Sequence, residues 1–174
     1  ALLVGSGLSS AAGIPTGWTI TVDLIQKLKK LVEPDCEENN IDEKALVSWY
    51  QEKYNKEPDY SDLLNKVAKT PSERQELIKK YIEHQEDQAT LREPTKAHYK
   101  IAELVKRGKI KVIITTNFDQ LLERALISEG VTPQIIYNDD SINGAKPLVH
   151  AGCTLIKVHG DYMDARIKNT KEEL

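Results

Sequence analysis

The chain opens with a short apolar run that leads directly into a turn rich in glycine and serine. Residues 1–4 read A-L-L-V, and residues 5–15 read G-S-G-L-S-S-A-A-G-I-P. This order predicts a β-strand that ends in a tight turn. A glycine-rich turn at the start of a helix exposes backbone N–H groups, which suit a phosphate. The opening therefore favours an α/β fold with a nucleotide pocket at the end of its first strand.

The stretch from residue 20 to residue 93 differs from the opening because its apolar residues recur at helical spacing among many charges. The pattern predicts helices over 24–32 and 45–50, a third after Pro58 and a fourth from Pro71. We interpret this stretch as a helical insertion after the first strand. Four of its aromatic side chains are assigned to the helical core and not to a binding face: Trp49, Tyr50, Tyr54 and Tyr60.

From Pro94 onward helices and strands alternate. A helix opens at Pro94 and stops at Gly108, and a second follows residues 117–119 and ends at Gly130. Strands are predicted over 112–114, 134–137 and 154–158, with a polar loop over 138–147. Alternation of this kind predicts a doubly wound, Rossmann-like parallel sheet with helices on both faces. Its core would comprise residues 1–19 and 94–174, interrupted by the insertion over 20–93.

Composition excludes several classes of function. The 174 residues include 24 Lys and Arg against 27 Asp and Glu, a net charge of −3, which argues against direct nucleic-acid binding. No apolar run approaches the roughly 20 residues that a membrane span needs. Cys36 and Cys153 fit neither a disulfide framework nor a metal site, so we expect reduced thiols in a cytoplasmic protein without a metal. The chain begins inside a strand and ends on the charged residues 171–174, which predicts a truncated domain of a longer parent chain with further domains.

Candidate functional residues follow from the rule that ligands bind outside the carboxyl ends of parallel strands. Asn117 and Asp119 follow one predicted strand, and His159 follows the last one. Asn117 and Asp119 equally suit the N-cap and first turn of the next helix, and both interpretations can hold together. His98 is expected to be structural, bonding a backbone carbonyl. Ser10 stands where G-x-G-x-x-G needs its third glycine, so an ordinary dehydrogenase is not predicted.

Four segments, in the right order, resemble motifs of the sirtuin family. Residues 5–15 resemble the G-A-G-x-S…G-I-P loop, and residues 94–98 (P-T-K-A-H) resemble the P-N-x-A-H segment. Residues 115–119 (T-T-N-F-D) resemble the T-Q-N-I-D motif, and residues 158–160 (V-H-G) resemble the catalytic His-Gly. The departures are that residues 16–18 read T-G-W and not D-F-R, and that no cysteine follows Gly160, where deacylases place a zinc module. This pattern is similar to the sirtuin-like NAD hydrolases of bacterial antiphage defence proteins.

The resemblance implies an enzyme that takes NAD as substrate, uses no metal, and cleaves it to nicotinamide and ADP-ribose, with antiphage defence by NAD depletion as its setting. By resemblance, His159 would act as general base, Asn117 would position water or the ribose, and Asp119 would orient the nicotinamide carboxamide. The implied NAD-binding residues are Gly5, Ser6, Gly7 and Ser9 at the pyrophosphate, Gly13, Pro15 and Thr16 at the nicotinamide end, and Thr116.

Two other functions stay open at this point. One is a protein deacylase or ADP-ribosyltransferase, which changes the acceptor but keeps NAD. The other is a module that senses NAD or ADP-ribose without turnover. We also expect a homo-oligomer. In sirtuins, later strands hold the adenosine half of NAD, so residues 1–174 alone are expected to bind NAD poorly.

Overall fold

Four parallel strands form the sheet at the centre of the protein. The computed structural model describes residues 1–34, 41–83 and 92–164. Within them the strands are β1 (Leu2–Val4), β2 (Val112–Thr115), β3 (Gln134–Ile136) and β4 (Thr154–Lys157). They lie side by side in the order β1-β2-β4-β3, and every pair is parallel. The predicted Rossmann-like α/β fold is confirmed, and each strand lies where the apolar runs indicated.

The register makes β1, β2 and β4 end level with one another. Val4 pairs with Thr115, and Thr115 pairs with Lys157 on its other side. The glycine turn, the segment after Thr115 and the segment with His159 therefore leave the sheet at the same edge. This common edge brings together residues that are more than 150 positions apart in the chain.

Helices surround this sheet. In chain order those that the structure describes are α1 (Gly7–Ser10), α2 (Gly17–Val32), α3 (Glu43–Tyr54), α4 (Tyr60–Val67), α5 (Pro71–Glu83), α6 (Lys96–Lys106), α7 (Leu121–Ser128) and α8 (Asp139–Asn143). None of these helices combines the length and apolar character needed to cross a membrane.

The apolar residues form two separate cores. One lies between the sheet and the helices α6 and α7, with Ile113, Leu155 and Leu126 among its members. The other is built mainly by α2 to α5 around residues such as Leu24 and Tyr50, and it also includes residues after β2 and β4. The second core thus attaches the helices of the middle stretch to the edge of the sheet where the loops emerge. The division of the chain at residues 20 and 93 stays a prediction, and α2 already begins at Gly17.

One helix start and one loop predicted from the sequence are wrong. Helix α6 begins at Lys96 and not at Pro94, because Thr95 keeps an extended backbone as its N-cap. The predicted polar loop over 138–147 contains the one-turn helix α8, whose start is held by Asn138: its side chain accepts from the Ser141 N–H at 2.9 Å. Local capping thus makes a helix in a segment that lacks any apolar periodicity.

Lys157, the last residue of β4, carries a fully buried ammonium group. Its Nζ donates to the main-chain oxygens of Phe118 at 3.2 Å and Asp119 at 2.7 Å. It also pairs with Glu123 at 2.8 Å and Asp161 at 2.6 Å. Burial raises the pKa of Glu123, and the neighbouring Lys157 ammonium opposes that rise. The ammonium therefore joins β4 to the loop between β2 and α7 and to the segment after His159.

We expect Lys157→Met to lower the free energy of unfolding by about 3–5 kcal/mol, because two buried carboxylates lose their cation. Denaturant titration measures the change. The matched control is Lys100→Met, which removes an exposed ammonium paired with Glu103 at 2.7 Å and should cost at most about 1 kcal/mol. Equal losses in the two variants would contradict the role assigned to Lys157.

Candidate functional site

A cavity of about 330 Å³ opens at the edge of the sheet where β1, β2 and β4 end. This volume lies at the lower end of the range for small-molecule sites. Its polar side is formed by Ser6, Ser9, Thr116, Asn117, Asp119 and His159. All three candidate catalytic residues therefore line one cavity, together with part of the glycine and serine turn.

The other residues expected to bind NAD are placed around this cavity or beside it. Pro15 lines it, whereas Gly5, Gly7, Gly13 and Thr16 do not. Gly5 lies close against the next strand end, since a Cβ there would meet the Thr116 hydroxyl oxygen at 3.3 Å. Thr16 is the N-cap of α2, and its hydroxyl accepts from the Thr19 N–H at 3.3 Å. Gly5 and Thr16 therefore contribute to the conformation of the turn and of the start of α2 without lining the cavity.

Gly13 is a position where the backbone itself requires glycine. Its φ is +82°, and an added Cβ would collide with the guanidinium of Arg92. That guanidinium donates to the Ala12 carbonyl oxygen at 3.2 Å, so it packs directly beneath the turn. The glycine therefore allows Arg92 to hold the turn in place.

The buried hydroxyl of Ser9 connects the turn to the residues after β2. It donates to Asp119 Oδ2 at 2.8 Å and accepts from Asn117 Nδ2 at 3.1 Å. The ring of His98 approaches the same oxygen, with Nε2 at 3.5 Å. A hydroxyl has one proton and two lone pairs, so these three contacts use its full capacity. Ser9 was expected to touch pyrophosphate, but its hydroxyl is occupied in fixing Asn117 and Asp119.

His98 is fully buried, and its ring lies against the hydroxyl of Ser9. Its Nδ1 accepts from the Thr95 N–H at 3.1 Å, which assigns the ring proton to Nε2, where it faces Ser9. Burial lowers the pKa of His98, and the nearby charge of Asp119 acts in the opposite direction. The expected structural role agrees with this placement, although its partner is a backbone N–H and not a carbonyl.

Asn117 and Asp119 do not cap α7 in the way that the sequence allowed. Gln120 occupies the N-cap position, and α7 begins at Leu121, whose N–H donates to Asp119 Oδ1 at 3.0 Å. Asn117 is held by its own N–H, which donates to Thr115 Oγ1 at 3.0 Å. Its side-chain oxygen is buried and has no partner among the residues that the structure describes. That oxygen is an acceptor available to a ligand.

His159 is partly exposed at the mouth of the cavity. Its ring lies 5.8 Å from the ring of Phe118, measured between centroids, with 47° between the planes. Phe118 lines the cavity as well. The imidazole therefore has an aromatic neighbour and can be reached from solvent.

Sequence reasoning missed the opposite wall of the cavity, which is helical. The residues are Ile14, Gly17 and Ile20 near the start of α2, Asp59, Tyr60 and Ser61 at the start of α4, and Ile78, Tyr81 and Ile82 on α5. Tyr60 is part of the helical core, as expected, but it lines the cavity too. Helical periodicity indicated that Ile78, Tyr81 and Ile82 share an apolar helix face, and nothing in it indicated that they face the glycine turn. His150 is exposed, and Cys36 and His84 lie outside the described residues.

We expect the stability of the protein to fall as the pH drops below about 6.5, the usual pKa of histidine. Burial lowers the pKa of His98 in the folded state, so on acidification the unfolded chain takes up this proton before the folded chain does. One such group contributes at most about 1.4 kcal/mol per pH unit. Denaturant titrations between pH 5 and pH 7 should show a smaller slope for His98→Gln, and an unchanged slope for the exposed His150→Gln. A slope that His98→Gln leaves intact would contradict this assignment.

No cluster of three or more metal-binding side chains occurs in the described parts of the chain. The model of the SIR2-like domain family matches residues 111–174, a segment that includes β2, β4, Asn117, Asp119 and His159. A search of curated proteins gave no match. The matched segment includes residues 115–119 and 158–160, so the family match confirms the resemblance of these two motifs to sirtuins and links the segment to NAD-dependent chemistry in general. Residues 111–174 are therefore similar to a SIR2-like domain.

Proposed function

We propose that this protein hydrolyses NAD at the bond between nicotinamide and ribose. The observation that carries the proposal is the convergence of Asn117, Asp119 and His159 on one cavity with the serines of the glycine turn. These three residues come from two separate strand ends and meet where an open parallel sheet binds ligands. A shared cavity with an aromatic and aliphatic wall suits a flat pyridine ring that carries a polar substituent.

The reaction places modest demands on the protein. When the C–N bond breaks, its electron pair stays on the pyridine nitrogen, so nicotinamide leaves as a neutral molecule and needs no general acid. A water oxygen then bonds to the ribose carbon and one proton is released, giving ADP-ribose. The site must stabilise a ribose with oxocarbenium character and orient the water, as glycoside hydrolases do.

Each of the three residues is suited to one of these tasks. His159, the general base, takes the proton from the water or from a ribose hydroxyl, and its partial exposure lets it return the proton to solvent. Asn117 orients the water or the ribose through its unpartnered side-chain oxygen. Asp119 accepts from the carboxamide NH₂ of nicotinamide. Its carboxylate already accepts from Ser9 and from the Leu121 N–H, which fixes its direction.

We propose water as the acceptor, and not an acylated lysine, on the basis of the sequence that follows the catalytic histidine. Deacylating sirtuins have a four-cysteine module there, whereas residues 161–174 contain no cysteine. The resemblance to antiphage NAD hydrolases further supports depletion of NAD in bacterial defence as the biological role, with a homo-oligomer as the assembled form.

We expect purified protein to release nicotinamide and ADP-ribose from NAD at the same rate with and without an acetylated peptide. Chromatography of the products measures both. His159→Ala and Asn117→Ala should each lower the rate about 10²-fold or more, in line with the loss of a positioned base or orienting group. His150→Ala, an exposed histidine outside the cavity, is the matched control and should retain the rate of the unchanged protein.

The other candidate functions give different products in the same assay. Formation of O-acetyl-ADP-ribose only with peptide would replace hydrolysis by deacylation. Tight NAD binding without any product, unaltered by His159→Ala, would replace it by a sensing role.

A further inference from the structure

Buried polar atoms without partners are rare in folded proteins, and each one calls for an explanation. Within the described residues, three buried side-chain atoms lack a hydrogen-bond partner: the hydroxyl of Tyr60, Oδ1 of Asn117 and Oε2 of Glu123. The carboxylate of Glu123 is held through its other oxygen by Lys157. Tyr60 and Asn117 both line the cavity. The cavity lining therefore includes a buried hydroxyl, on its helical side, and a buried acceptor, at the strand ends, that bond to no described residue.

The position of Tyr60 is fixed by its helix. It is the first residue of α4, where Asp59 is the N-cap and its side chain accepts from the Asp62 N–H at 3.1 Å. Its ring packs against the core of the helical stretch. Burial raises the pKa of Tyr60 well above its usual value, so the hydroxyl keeps its proton at neutral pH. Tyr60 thus has a hydroxyl that is held in place and bonds to none of the residues that the structure describes.

The neighbouring hydroxyl on the same wall is already committed. Tyr81, on α5, lines the cavity as well, but its hydroxyl bonds to Asp23. Asp119, on the opposite wall, is a carboxylate and can only accept. An amide ligand bound by Asp119 through its NH₂ would leave its carbonyl oxygen in need of a donor. Of the two tyrosines on the helical wall, only Tyr60 has a hydroxyl proton to offer.

We propose that Tyr60 positions the nicotinamide end of the substrate by donating a hydrogen bond from its hydroxyl to the carboxamide oxygen. This inference rests on the proposed function, because it assumes that nicotinamide occupies the cavity. It assigns a recognition role to the helical stretch, which supplies the donor while the strand ends supply the acceptor. Recognition of a primary carboxamide then requires both parts of the fold.

The test compares Tyr60→Phe with Tyr50→Phe in the intact protein. Tyr50 is a matched control because it is buried on α3, does not line the cavity, and donates its hydroxyl to Asp62 at 2.6 Å. We expect Tyr60→Phe to weaken nicotinamide binding about 3- to 10-fold, the usual effect of one neutral hydrogen bond. Its melting temperature should stay equal or rise, because an unpartnered hydroxyl is removed. Tyr50→Phe should show the opposite pattern, with unchanged binding and a lower melting temperature.

Ligand analogues separate a hydrogen bond from a change of shape. 3-Acetylpyridine keeps the carbonyl oxygen of nicotinamide, and pyridine lacks it. Calorimetric titration should show that Tyr60→Phe weakens the binding of nicotinamide and 3-acetylpyridine by a similar factor and leaves the binding of pyridine unchanged. In steady-state assays with NAD, the same variant should raise KM more than it lowers kcat.

The outcomes distinguish this inference from the proposed function. If the unchanged protein cleaves NAD, and the Tyr60→Phe variant binds nicotinamide as tightly as the unchanged protein does, the inference about Tyr60 is overturned and the proposed hydrolysis stands. The inference is also overturned if Tyr60→Phe weakens pyridine binding by the same factor, since the effect would then be one of shape. If the unchanged protein neither cleaves NAD nor binds nicotinamide, the proposed function itself fails.

Discussion

The arrangement of the site depends on a single buried cation at the end of β4. An ammonium group in a protein interior must be surrounded by acceptors, because its desolvation costs several kcal/mol. Lys157 obtains them from the loop after β2, from α7 and from the segment after His159. The loop that carries Asn117 and Asp119 is therefore tied to the strand that precedes His159. Three residues from two strand ends can face one cavity because the electrostatics of Lys157 leave these loops little freedom.

A second constraint comes from the helices α2 to α5, because residues of α2, α4 and α5 form one wall of the cavity. The core of α2 to α5 extends to Leu121 and Tyr162, residues that follow β2 and β4. The cavity is bounded on one side by strand ends and on the other by the starts of α2 and α4 and by α5. Its volume and polarity are therefore properties of both parts together. The sheet supplies the proposed reaction chemistry, and the helices supply the apolar wall.

Much of the fold could be predicted because its signals are local. Apolar runs located every strand in the described parts of the chain, and helical spacing located the larger helices there. The predictions of helix boundaries and short elements were wrong where an N-cap residue sets the start of a helix, as at Thr95 and Asn138. Among the residues that line the cavity, Asn117, Asp119 and His159 could be named because they follow strand ends, whereas Ser6 and Ser9 were implied by the resemblance to sirtuins. Tyr60 could not be placed in the site, since its burial was visible in the helical pattern but the direction that it faces is set by tertiary packing.

The hydroxyl of Ser9 has a consequence for how this site can change during evolution. It accepts a hydrogen bond from the Asn117 amide, faces the protonated nitrogen of His98, and donates a hydrogen bond to Asp119. Each hydrogen bond in this set pairs a defined donor with a defined acceptor. Replacing one member by a group of different hydrogen-bonding character would therefore leave a neighbouring buried group without its partner. Positions 9, 98, 117 and 119 should therefore be inherited together, although they are scattered over 110 residues of chain. Loss of one would be expected to release the other three, so the group as a whole marks the site more reliably than any single residue.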